Sequence, residues 1–229
     1  NRNGLTLRRM HEFQHYEDIK AYYQSLNWPA LKVVVTGTGR VATGAVQVLL
    51  DMGLRQVSPQ EYLSQQYNYP VFTQLGCKDY VARISDGAYD KKEFYASPEL
   101  YQSTFGPYAE ASDVFINGIY WDPKSPAFFT VEQMQDPKFK LKTIADVTCD
   151  IAPASSIPST LFASKIAEPV FGFNPLTVLV ESPYRAHVID MMTVDNLPNE
   201  LPRDASEYFG TRFCDVLIPE LIRPQSDII

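Results

Sequence analysis

Three cysteines (Cys77, Cys149, Cys214), three histidines and no CxxC pair are few for a chain of 229 residues. That excludes a disulfide-stapled fold and points to reduced thiols in a cytoplasmic setting. His11 and His15 stand four apart, a spacing that shares a helix face, but no third ligand is nearby, so no metal site is expected. No apolar run reaches transmembrane length, which predicts a protein off the membrane. No long basic run exists and the net charge is −7, which argues against a nucleic-acid surface. No secretory pattern opens the chain, and its first residue is Asn1 rather than Met, as expected for part of a longer protein. Internal repeats and low-complexity tracts are also missing.

What is present is apolar: 45% of the residues, enough for one sizeable core or for a large domain with part of another. Residues 12–26 carry Phe13, Tyr16, Ile19 and Tyr23 at helical spacing, ended by Pro29. A strand is expected at 31–36, then a Gly-rich turn, then a helix closed by Gly53. A strand at 54–57 precedes a capping box, Ser58-Pro59-Gln60-Glu61. From 58 to 111 the strand–helix rhythm is lost in an aromatic, polar stretch, which reads as an ordered insertion with short helices. Strands are expected again at 112–120, 142–150, 177–180 and 188–195, with a second capping box at 130–133. A last helix, capped by Asp204 with Glu207 at its third position, closes the chain. Strands alternating with helices, each nearly continuously apolar, predict an α/β fold: a doubly wound, mostly parallel sheet of the Rossmann type.

The chemistry concentrates in "LKVVVTGTGRVATGAVQVLL", residues 31–50. Gly37-x-Gly39-x-x-Ala42 follows a strand and opens a helix, which is the context that gives this motif meaning. The first Gly permits the tight turn, the second lets backbone approach a pyrophosphate, and a small third residue allows close helix–strand packing. The phosphates would meet the free amides and positive dipole end of the helix. The alternative is a Gly turn that serves packing and binds nothing. A P-loop is excluded because Ala45 and Val46 stand where Lys and Ser or Thr would be, and no Gly-x-Ser-x-Gly elbow occurs. An NAD site commonly has an acid about 20 residues on, to hold the ribose hydroxyls. That zone here is Arg55, Gln56, Val57 and Ser58, without an acid, and Glu61 is taken by the capping box. Arg40, Arg55 and Ser58 as possible phosphate partners tilt the expectation to NADP, with NAD as the alternative.

Together with "GTGRVATGA", the stretches "SDVFINGIYWDPKSP", "IADVTCD" and "VDNLPNELPRDASEYFG" resemble the lysine-forming saccharopine dehydrogenases. The likeness extends to the lysine–2-oxoglutarate reductase half of the bifunctional lysine-degrading enzyme and to bacterial alanine dehydrogenase-like relatives. It covers residues 30–222. It implies a cofactor-binding Rossmann-type domain at 29–195, with 1–28 and 196–229 belonging to or bordering a second domain, and a homo-oligomer as one possibility. By that resemblance Gly37, Thr38, Gly39, Arg40, Val41 and Ala42 would hold the pyrophosphate. Asn117, Gly118, Ile119 and Tyr120 would lie along the ribose, and Asp146 and Thr148 near the nicotinamide. Asp195, in a supporting role, with Asn196, Leu197 and Pro198, would form the crossing beside the ring. Each has a plainer reading as a bulge, a loop cap or a turn. Their places at consecutive strand ends favour the ligand reading jointly.

The family's Lys and His acid–base pair lies upstream of the Gly turn, and nothing in the roughly thirty residues before that turn matches it. The expectation is therefore the cofactor-binding part of an amino-acid dehydrogenase, inactive alone, whose substrates are a small amino acid and an oxo-acid. The alternative is a non-catalytic module that senses NAD(P).

Overall fold

The computed structural model describes residues 7–223. The ends of the expected flanking segments, 1–6 and 224–229, lie outside the described residues. The elements run α1 (Tyr16–Gln24), β1 (Lys32–Thr36), α2 (Arg40–Asp51), β2 (Arg55–Gln56), α3 (Pro59–Ser64), β3 (Val71–Leu75), α4 (Cys77–Tyr80) and β4 (Val81–Arg83). They continue with α5 (Lys91–Ala96), β5 (Tyr101–Ser103), α6 (Gly106–Ala111), β6 (Val114–Asn117), α7 (Val131–Met134), β7 (Thr143–Asp146), β8 (Val170–Asn174), β9 (Leu179–Glu181) and β10 (Ile189–Met192). Two last helices, α8 (Pro202–Arg212) and α9 (Ile218–Leu221), are joined by a π turn, Phe213–Leu217.

Eight strands form one sheet in the order β2-β3-β1-β6-β7-β10-β8-β9. The pairings from β2 to β10 are parallel, and β8 runs antiparallel to both β10 and β9. The α/β Rossmann-type expectation holds. Strand order reverses at β1: the chain first crosses to the edge strand β2 and comes back to lay β3 beside β1, then passes to the other side with β6 and β7. In open parallel sheets that reversal is where ligands settle, outside the carboxyl ends of the strands.

Strand residues alternate between two faces. Val34, Leu75, Phe115, Ile144 and Met191 point into one core, closed by Phe105, Phe128 and Phe129. Val33, Val35 and Phe72 point the other way, under Ala42 and Leu49 of α2. The aromatic stretch after β3 supplies Tyr80, Phe94 and Tyr101 to the first core and adds a two-stranded hairpin, β4 with β5.

Four expectations need correction. β3 was not foreseen: "VFTQL" is too short and mixed to stand out in an aromatic stretch, yet it pairs residue for residue with β1. The strand expected at 177–180 is a turn followed by β9, because Asn174 Oδ1 accepts from the amides of Leu176 and Thr177 and folds the chain back from β8. The helix expected over 12–26 is a 3-10 turn, Met10–Glu12, then α1, whose N-cap is His15. Asp204 does not cap the last helix. Pro202 opens it after Leu201, and Asp204 sits in its first turn, taking the Tyr16 amide. Both capping boxes are formed as expected, and Gly53 takes φ +87° after α2. Among the described residues no helix is long and apolar enough to cross a membrane.

Candidate functional site: the Gly turn and the strand ends beside it

β1 ends in Thr36, and Gly37 turns the chain at φ +105°, a region that side chains rarely tolerate. A Cβ placed there would stand 2.5 Å from the Gly118 carbonyl oxygen and 3.2 Å from Ala42 Cβ. The turn is tied to its neighbour strand: the Gly37 amide donates to Leu75 O at 2.9 Å, and Gln74 Nε2 donates to Gly37 O at 2.9 Å. Gly39 is the N-cap of α2 and has nothing within 4 Å of where its Cβ would be, so backbone there is approachable. No side chain caps the helix, so its first amides have no capping partner. Ala42 is fully buried, and Gly118 passes so close that a Cβ on it would meet Ala42 N at 3.3 Å. Smallness is thus required at 37, 42 and 118 by packing, whereas at 39 it leaves room.

A cavity of about 340 Å³ opens beside this turn. It is lined by Gly37, Thr38 and Gly39, by Gly76 and Cys77 at the end of β3, and by Gly118, Ile119 and Tyr120 beyond β6. Tyr80, Phe94 and Tyr95 of the aromatic stretch line it too, with Trp121, Asp122, Pro126 and Phe128 among the residues beyond β6. Asp122 carries the one full charge among the described lining residues, and no Lys, Arg or His is among them.

Three of the expected residues lie elsewhere in the fold. Ser58 follows the edge strand β2, with β3 between it and the Gly turn, and its hydroxyl donates to Glu61 at 2.6 Å. Arg55 lies over the Tyr69 ring, 4.9 Å from its centroid. Leu197 opens onto the opposite side of the sheet, where an apolar groove of about 600 Å³ runs past Met52, Ile116, Ala145 and Met192.

Asn117 and Asp146 are fully buried and bind each other, not the cavity. Thr36 Oγ1 donates to Asn117 Oδ1 at 2.8 Å, and Asn117 Nδ2 donates to Asp146 Oδ1 at 2.9 Å and to Ser156 Oγ at 3.0 Å. Thr160 Oγ1 donates to the other Asp146 oxygen at 2.6 Å, and the Cys149 amide to the first at 3.3 Å. The ends of β1, β6 and β7 and the loop 149–160 are thereby locked together. Burial holds the Asp146 carboxyl above the ordinary carboxylate range, with the Thr160 and Asn117 bonds pulling it back. Thr148 Oγ1 donates to Ile119 O at 2.8 Å, tying the next loop to the same corner.

Cys149 takes φ +55°, and its thiol donates to Thr193 O at 3.1 Å. Burial, then the charges of Asp146, Asp195 and Asp150, push that thiol up to about 11. Asp195 and Asn196 are exposed where the chain leaves β10. The loops after β7 and β10 therefore meet, as their parallel pairing requires. The missed contributors, Cys77, Tyr80 and Tyr95, carried no motif. Only the position of β3 beside β1 would have drawn attention to them.

No protein-family model matches the chain. It is 30% identical over 215 residues to the alpha-aminoadipic semialdehyde synthase of Mus musculus, covering 82% of this chain and 22% of that protein. With the Arabidopsis thaliana protein of the same name it shares 30% over 220 residues, 85% of this chain and 20% of that one. With saccharopine dehydrogenase [NAD(+), L-lysine-forming] of Schizosaccharomyces pombe it shares 35% over 120 residues, 51% of this chain and 30% of that protein. The chain spans about a fifth of the length of the synthases it matches. These likenesses, over most of the chain for the synthases, support the family of the alpha-aminoadipic semialdehyde synthases and lysine-forming saccharopine dehydrogenases.

Proposed function

We propose that this chain is the dinucleotide-binding part of an NAD(H)-dependent amino-acid dehydrogenase of the lysine-forming saccharopine type. The observation that carries it is the corner at residues 37–42: a left-handed Gly against Gly118, an open backbone at Gly39, and an uncapped twelve-residue helix behind them. Bound there, the cofactor would accept or donate hydride at its nicotinamide, the partner being the imine of lysine and 2-oxoglutarate. The amides of residues 39–42 would hold the pyrophosphate, and Ile119 and Tyr120 would flank the ribose. Asp146 would fix the loop on which Thr148 and Cys149 approach the ring, and Asp195, Asn196 and Pro198 would border it from the neighbouring strand. An alanine-directed relative would use the same cofactor corner.

NAD(H) is favoured over the NADP expected from the sequence. A 2′-phosphate needs cations, the cavity lining offers Asp122, and Arg55 and Ser58 are engaged at the sheet edge. The name of the fungal relative points the same way.

Both ends of the chain are proposed to belong to a second domain. In support, they meet: Arg9 and His11 pair with Glu200, and the Tyr16 amide with Asp204. Beyond that junction α8, the π turn and α9 expose Tyr208, Phe209, Leu217 and Leu221.

Calorimetric titration with NADH and NADPH tests the reading. NADH is expected to bind more tightly, without turnover of lysine and 2-oxoglutarate. Gly39→Val, whose side chain would fill the open space without meeting the fold, is expected to abolish the heat while far-UV dichroism stays unchanged. Flat titrations of the unaltered chain with both nucleotides would end the proposal.

A further inference from the structure

The cavity beside the Gly turn has an unusual mouth. Tyr120, just past β6, is 91% exposed, and Tyr95, on α5, is 64% exposed, yet both line the same cavity from different elements. Other aromatic side chains of that stretch are buried: Tyr80, Phe94 and Tyr101 are each below 8%. Two large rings left facing solvent across a cavity are poised for a flat ligand group, because stacking on an aromatic face uses the ring's area without asking for a hydrogen bond.

The interior selects further. Phe94, Phe128 and Pro126 give it apolar walls, and Asp122 is its one full charge among the described lining residues. A group that enters is planar and uncharged rather than a phosphate. The Tyr95 ring is not loose. Its phenol lies beside the Cys77 thiol, which holds its ionisation above the ordinary value, and Cys77 itself contacts Tyr80 Oη at 3.3 Å. Cys77 follows Gly76, which lies close to the Gly turn: a Cβ built on it would stand 3.6 Å from Thr38 Cγ2.

We infer that the aromatic stretch after β3 is part of the nucleotide site, with Tyr95 and Tyr120 gripping the adenine ring between them. This rests on reading the cavity as a dinucleotide site and names residues for its base half. The side is consistent with the strand order. The cavity lies at the ends of β1, β3 and β6, on the flank away from β7 and β10, where the nicotinamide half is placed.

The test separates the halves of the cofactor. The unaltered chain, Tyr95→Ala, Tyr95→Phe and Tyr120→Ala are titrated with NADH, ADP-ribose and reduced nicotinamide mononucleotide, with a thermal melt of each variant. Tyr95→Ala and Tyr120→Ala are expected to weaken NADH and ADP-ribose about tenfold each, the loss typical of one base–aromatic stack. Tyr95→Phe, which keeps the ring, should stay within about twofold by the same reasoning. The mononucleotide, which has no adenine, should be indifferent to all three. Both tyrosines are largely exposed, so the melts should not move. ADP-ribose binding unchanged in Tyr95→Ala, or lost as much in Tyr95→Phe, overturns the inference while leaving the dinucleotide reading intact. Failure of the unaltered chain to bind any of the three ligands overturns both.

Discussion

Phe115 and Ile116 are neighbours in one strand and live in different surroundings. Phe115 is fully buried, its ring 4.8 Å from that of Phe105 and 5.2 Å from that of Phe128. Ile116 points through the other face into an apolar groove and is half-buried. The same contrast repeats along the sheet, with Ile144 against Ala145 and Met191 against Met192. One face is closed by aromatic side chains from the loops. The other is covered by α2 over β1 and lies open beyond it. Apolar character in a strand states that both faces seek cover. It does not state that this chain supplies it twice. The function sits on neither face but at the ends of the strands, where the closed side brings its aromatic wall up to the Gly turn.

The sharpest way to break this comparison is to truncate the closed face. Phe115→Ala is expected to cost about 3–5 kcal/mol, the usual loss for a fully buried phenylalanine in a packed aromatic cluster. Urea unfolding followed by tryptophan fluorescence measures it. A loss below about 1 kcal/mol, in the range of ordinary surface changes, would mean that the two faces do not differ as described.

A smaller effect is expected where the closed side meets the strand ends. Asp146 accepts three hydrogen bonds in a buried site, so Asp146→Ala strands the Asn117 amide and Thr160 hydroxyl and should cost about 1–3 kcal/mol. Asp146→Asn keeps an oxygen for Asn117 and Cys149, and its new amide can donate to a turned Thr160 hydroxyl, so it should fold well. The pH dependence has a definite sign. Burial raises the folded carboxyl above its ordinary value of 3.8, so the folded state takes up a proton before the unfolded state does. Native stability from this group therefore rises as pH falls through the raised value, and the full cost of the buried charge is present at neutral pH. Asp146→Asn has no such response. Its stability relative to the unaltered chain should be most favourable near neutrality and should decline as acid is approached. A relative gain in acid would show that the carboxylate is held ionised by its partners instead.

How much of this was legible beforehand follows the same division. The Gly turn was readable because its residues are fixed by local geometry, with Gly37 in a left-handed conformation and Gly39 capping α2. The capping boxes at Ser58 and Thr130 were readable for the same reason: donor and acceptor lie three residues apart. β3 was not, since five residues of mixed character become a central strand only by pairing with β1 on one side and β2 on the other. With β3 hidden, the partner of the Gly turn was sought at Arg55–Ser58, one strand too far out. Asp146 and Asn117 were recognised as belonging to the strand ends. Their mutual burial depends on Ser156 and Thr160, ten or more residues downstream in a loop without regular pattern, and spacing carries no trace of it.

The least effect is expected on the open face, and it probes the comparison from its other side. Met192 follows fully buried Met191 directly, but its side chain lines the groove and remains half-buried. Met192→Gln should change stability by no more than about 0.5 kcal/mol, because the new amide keeps contact with water and its oxygen can take the Val194 amide that Met192 Sδ now accepts. Met191→Gln would instead bury an amide beside Ser159, with a far larger loss. The groove should also attract an environment-sensitive apolar dye in the folded state, and Met192→Gln should dim that signal without moving the melt. If Met192→Gln lowers stability as far as Met191→Gln does, the groove is packed shut in solution, and the two faces of the sheet are equally closed.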